Sequence, residues 1–80
     1  MASGRFTFDL IDDQSANGAN ANDIRSVIEK GGRFKHTGTS RYDGTGNMQD
    51  LVRDVVKALG ILRNLKGNAS VGHVDISLSK

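Results

Sequence analysis

The stretch Arg33-Phe34-Lys35-His36-Thr37-Gly38-Thr39-Ser40-Arg41-Tyr42-Asp43-Gly44-Thr45-Gly46 decides the fold, because its residues suit two different structures. Phe34-Lys35-His36-Thr37 and Ser40-Arg41-Tyr42 suit two short strands, with Gly38-Thr39 as the turn that joins them. The same residues also suit one longer irregular strand. Two strands make the chain β-α-β-β-α-β, whereas one strand makes it β-α-β-α-β.

The segments on either side are less ambiguous. Arg5 to Asp12 alternates, with Phe6, Phe8 and Leu10 on one face and Thr7 and Asp9 on the other, which is a half-buried strand. The last segment repeats the pattern, Val74, Ile76 and Leu78 alternating with His73, Asp75, Ser77 and Ser79. One-sided strands need helices on their apolar face. Two are expected. Asn22 or Asp23 caps a short helix carrying Ile24, Val27 and Ile28 at i, i+3 and i+4, ended by Gly31-Gly32. Asn47 caps a longer one, with Asp50 in its first turn and Gly67-Asn68 after its end.

At 100° per residue, Met48, Leu51, Val52, Val55, Ala58, Leu59, Leu62 and Leu65 form one apolar arc of this second helix. Val55 and Leu59 are expected at its buried centre, with Arg53, Asp54, Lys57 and Asn64 on the polar arc. Gln14 to Asn22 reads as a polar loop with a turn at Asn17-Gly18. The expected fold is a small α/β (α+β) domain spanning 1–80. It is a two-layer sandwich, β-α-β(-β)-α-β, with both helices on one face of a three- or four-stranded sheet. The ferredoxin-like split order is the favoured arrangement. The other sheet face then carries Thr7, Asp9, Lys35, Thr37, His73, Asp75 and Ser77.

Composition narrows the function. The 80 residues contain no cysteine and no proline. Thiol chemistry, disulfides and cysteine-bound zinc are therefore excluded, and a cytoplasmic location is the expectation. No apolar run approaches ~18 residues, and the first residues do not form a signal peptide, so no membrane role is expected. Net charge is +2, but it is unevenly placed. Residues 1–29 sum to −3, residues 43–54 to −2 and residues 55–80 to +3, whereas residues 30–42 carry Lys30, Arg33, Lys35 and Arg41 with no acid. This basic segment is the expected binding surface, with Arg33, Lys35, Arg41 and Tyr42 as its candidate residues.

Two weaker candidates accompany it. Gly44-Thr45-Gly46-Asn47 leads into the second helix, where free N–H groups and the helix dipole suit an anion. The lysine and spacing of a nucleotide-binding loop are absent. His36 and His73, if their strands pair, would supply a base and an acid for metal-independent RNA cleavage. No third ligand accompanies His73 and Asp75, so no metal is expected, and no cofactor motif is present.

Asp23-Ile24-Arg25-Ser26-Val27-Ile28-Glu29-Lys30-Gly31-Gly32-Arg33-Phe34, then Thr37-Gly38-Thr39-Ser40-Arg41-Tyr42, then Leu51–Leu62, resembles the helix–hairpin–helix run of HicA-type mRNA-cleaving toxins over about half of the chain. Those toxins carry their catalytic histidine just after the Gly-Ser/Thr of the hairpin. Here Ser40 follows Gly38-Thr39, and His36 precedes the glycine. The departure falls on the residue that would carry the activity, so the resemblance assigns no family.

What remains is a non-enzymatic interaction module, of the inhibitor or accessory-factor type met in phages and toxin–antitoxin systems. It is expected to bind a protein partner or itself through the open sheet face or an edge strand. Self-association suits an unstapled core of this size. The alternatives are nucleic-acid binding through residues 30–42 and a small ribonuclease-type toxin.

Overall fold

The computed structural model describes residues 1–13 and 19–80. Along the chain lie β1 (Ala2–Ile11), α1 (Ala19–Glu29), β2 (Phe34–Gly38), β3 (Arg41–Gly46), α2 (Met48–Arg63) and β4 (Ser70–Ser79). Residues 33–46 thus form a hairpin. Its turn is Thr39-Ser40, one residue later than the glycine suggests, because Gly38 still pairs with Arg41 across a bulge after His36. Ser40 takes the left-handed φ of 53° that closes the turn. Its carbonyl then accepts from Phe8 N at 3.1 Å, which ties the hairpin tip to β1.

The sheet order is β2-β3-β1-β4, with every neighbouring pair antiparallel. Each helical crossover skips one strand, which is the ferredoxin-like split order. Both helices cover one face, over a core built from Phe6, Phe8, Phe34, Tyr42, Ile24, Ile28, Leu51, Val55, Ala58 and Leu62. At the centre, Gly4 and Gly44 are cross-strand partners, and the Phe34 ring lies over both. Side chains on these two glycines would occupy the space that the ring fills.

α1 begins at Ala19, inside the stretch read as a polar loop; residues 14–18 of that loop lie outside the described residues. Its cap is Asp13 rather than Asn22 or Asp23: Asp13 Oδ2 accepts from Ala21 N at 3.2 Å. Asn20 is buried instead of solvated. Its amide donates to Asp13 Oδ1 and Lys66 O, and its carbonyl accepts from Lys66 N, all within 3.0 Å. These bonds satisfy the buried amide and join the start of α1 to the loop after α2. At the other end Gly32 adopts φ 76°, and its N–H returns to Glu29 O.

α2 is capped as expected by Asn47, whose side chain accepts from Gln49 N at 2.8 Å. It ends at Asn64, before Gly67-Asn68, because Asn64 turns its N–H back to Ile61 O. The buried arc is rotated from the expected one. Leu51, Asp54, Val55, Ala58 and Leu62 are buried, whereas Leu59 is only partly covered and Val52 is exposed. Asp54, placed by its polarity on the outer arc, is the residue that departs most from expectation. Among the described residues, no helix is long and apolar enough to cross a membrane.

The glycines make this packing testable. A Cβ on Gly44 would stand 2.7 Å from the Phe34 ring and 2.8 Å from the Arg33 carbonyl, and that carbonyl cannot rotate away. Gly44→Ala should therefore cost about 1–3 kcal/mol. Gly60, with nothing near its Cβ position, should gain about 0.5–1 kcal/mol on substitution by alanine. Chemical denaturation of both variants checks the pair of opposite signs.

Candidate functional site

Alternation along the four strands sends every second side chain to the face that no helix covers. Register places Lys35, Asp43, Arg5 and Ser77 in one row across that face. Asp43 is its hub. Arg5 Nε donates to Oδ1 at 3.0 Å, while Thr37 Oγ1 and Arg41 Nε donate to Oδ2 at 2.6 and 3.2 Å. The bonds from Thr37 and Arg5, with the Arg41 charge beside them, hold the Asp43 carboxyl below its ordinary range. Ser3, Thr45, Ser77 and Ser79 surround the hub and, with Arg5 and Lys35, line a shallow open depression of about 630 Å³. The far corner of the same face is acidic, with Asp9 opposite His73 and Thr7 opposite Asp75.

The four residues expected to bind together are divided by the fold. Lys35 and Arg41 share the open face, and the hairpin preserves their common direction opposite Phe34. Lys35 has no ion-pair partner among the described residues, whereas Arg41 is joined to Asp43. Arg33 instead turns to the helix layer. Its Nε and Nη2 donate to the two carboxylate oxygens of buried Asp54 at 2.8 and 2.9 Å. Tyr42 lies in the core, parallel to Phe8 at a ring separation of 6.4 Å. The buried ring presents no stacking surface on the open face, and burial raises its phenol above the ordinary range.

His36 and His73 do not meet. They lie on β2 and β4, the opposite edges of the sheet, separated by about 14 Å across three strand spacings and offset by a further three residues along the strands. His36 rests against Tyr42, with ring centroids 5.0 Å apart, while His73 is across from Asp9. Among the described residues, no group of three acidic or histidine side chains could hold a metal. Gly44, Thr45 and Gly46 are the end of β3 rather than a free loop, and Thr45 N donates to Arg33 O. Asn47 is the α2 cap.

The two sheet edges differ. β2 is five residues long, bears Lys35 and contains a bulge, features that blunt a strand edge. β4 is ten residues long, and its side away from β1 pairs with no other described strand. None of its residues is buried, and Val71 and Ile76 are 43% and 37% exposed. On α2, Val52 and Val56 are 41% and 58% exposed. Each is two residues from Asp54, hence about 200° around the helix from the Arg33 side. That flank is the β4 side, because α2 also packs against β4, at the opposite edge of the sheet from β2 and the Arg33 that precedes it. β4 and the outer flank of α2 are therefore neighbouring, partly uncovered apolar surfaces at one margin of the domain.

No family model matches the chain, and no curated protein or solved structure is significantly similar to it.

The Arg33–Asp54 pair, the Asp43 hub and the exposed margin were not legible in the sequence. Asp54 carried the one usable signal, lying about 60° from Leu51 and 40° from Ala58 on the helix. Asp54→Asn leaves one donor of the Arg33 fork without its acceptor charge and should cost about 1–3 kcal/mol, while Arg53→Ala on the solvated arc should cost less than about 0.5. Thermal melts of the two variants check this. Because the Asp43 carboxyl titrates lower when folded, its stabilisation is fully present above the unfolded value near 3.9 and is lost as pH falls through the folded value. Melting temperature should thus fall more steeply with acidification in the wild type than in Asp43→Asn.

Proposed function

We propose that the protein is a small non-enzymatic interaction module that docks a protein by strand addition at β4. The observation that carries this role is the ten-residue edge of β4, which pairs with no other described strand and lies beside exposed Val52, Val56 and Ile76. An open edge offers a row of backbone donors and acceptors, and alternate side chains give specificity. The apolar flank supplies the area that strand pairing alone lacks. An inhibitor or accessory factor needs no more chemistry than this.

Nucleic-acid binding is the second role to weigh, and it rests on Arg5, Lys35 and Arg41 sharing the open face. Asp43 accepts from two of these three cations, and Tyr42 is turned inward, which leaves little beyond Lys35 to grip a phosphate backbone. A ribonuclease role finds no support in two histidines at opposite sheet edges.

Paired variants separate these roles. With the full chain immobilised, Ile76→Lys or Val56→Glu should lower recovery of a bound protein partner by about tenfold or more, the loss of a central interface contact. Lys35→Glu with Arg41→Glu should leave it unchanged. The reverse pattern, or a lowered salt slope of RNA or DNA binding in the Lys35/Arg41 double variant alone, would transfer the function to the open face.

A further inference from the structure

We infer that the occupant of the β4 edge is a second copy of this chain, paired antiparallel about a two-fold axis at Ile76. This rests on the strand-addition role just proposed and names its partner. The register follows from three constraints. First, the pairing of β1 with β4 shifts between Asp9 and Leu10, where Gly72 is skipped, so β4 is regular only from His73 to Ser79. A bulge bends its strand and interrupts pairing, and the midpoint of the regular segment is Ile76.

Second, helices on one side of a joined sheet require that facing residues share a face. Centring on Ile76 sets Ile76 against its copy and Val74 against Leu78 of the second chain, so each apolar side chain of the segment meets another. It sets Asp75 against Ser77 and His73 against Ser79 on the open face, so the serine hydroxyl can donate to the carboxylate. Centring on Asp75 would oppose two carboxylates, which is destabilising in a cross-strand pair. Centring on Val74 would run each strand into the other's bulge after one residue on either side.

Third, the edge bears little charge with which to recognise a different partner. Asp75 is the one charged residue between Ser70 and Ser79. A strand of the same composition meets no repulsion in the Ile76 register and finds the same backbone spacing. The axis also sets α2 antiparallel to its copy on one side of an eight-stranded sheet, with the Val52 and Val56 flanks turned toward each other. Val56 and Ile76, the most exposed apolar residues of α2 and the central one of β4, then lie nearest the axis.

The absence of native cysteine makes the register directly measurable. Facing residues of an antiparallel pair have Cα atoms about 4.5–5.5 Å apart, inside the range of about 4.4–6.8 Å that a disulfide spans. Ile76→Cys should form a covalent dimer under mild oxidation at least about tenfold faster than Val74→Cys or Asp75→Cys. Sedimentation equilibrium should find the wild type dimeric at micromolar concentration and Ile76→Lys monomeric, with circular dichroism showing both folded. Val56→Glu gives a second route to the monomer should Ile76→Lys unfold. A monomeric wild type, or faster cross-linking through Val74→Cys or Asp75→Cys, overturns the inference. Strand addition itself then survives only if Ile76→Lys still loses a captured heterologous protein, so the two failures are distinguishable.

Discussion

The Phe34 ring seated over Gly4 and Gly44 is the contact on which the rest of the molecule depends. It crosses β2, β3 and β1 at once, in the layer where sheet and helices meet. Two missing side chains on facing strands leave a recess, which the Phe34 ring fills together with Leu78 beside Gly4. Arg33, the preceding residue, reaches from the same turn to Asp54 in α2, so consecutive residues fasten the edge strand to the sheet and to the second helix. A bidentate Arg–carboxylate pair is directional, and this one, together with the buried Leu51, Val55, Ala58 and Leu62, fixes the rotation of α2 about its axis.

That rotation has a consequence on the far side of the helix. Turning Asp54 inward toward Arg33 turns Val52 and Val56 outward, toward β4 and solvent. A helix with an eight-residue apolar arc cannot bury all of it while also burying an aspartate. The exposed margin is thus coupled to the internal ion pair, and the proposed interface is the outer face of the arrangement that stabilises the inner one.

The open sheet face has a different character. Arg5, Arg41 and the Thr37 hydroxyl converge on Asp43, which engages them within the chain. Lys35 has no such partner among the described residues. Exposed ion pairs of this kind contribute little to stability, and the face they cover stays polar, in contrast to the apolar margin at β4.

Much of the fold was legible in the residues themselves. The alternation of Phe6, Phe8 and Leu10, and of Val74, Ile76 and Leu78, specifies one-sided strands, because side chains on a strand have period two. The Asn47 cap and the apolar spacing after it specify α2. These are local properties, and local sequence determines them. Tertiary structure alone decided that Tyr42 faces the core, that Asp54 is buried and that His36 and His73 stand at opposite edges. Each depends on strand order or on a partner distant in sequence. A polar side chain's burial is set by the donor that reaches it, and Arg33, twenty-one residues before Asp54, leaves no periodic trace in the helix it enters. The exposed margin was hidden for the same reason: hydrophobic period shows which residues share a face, but only packing shows how much of that face is covered.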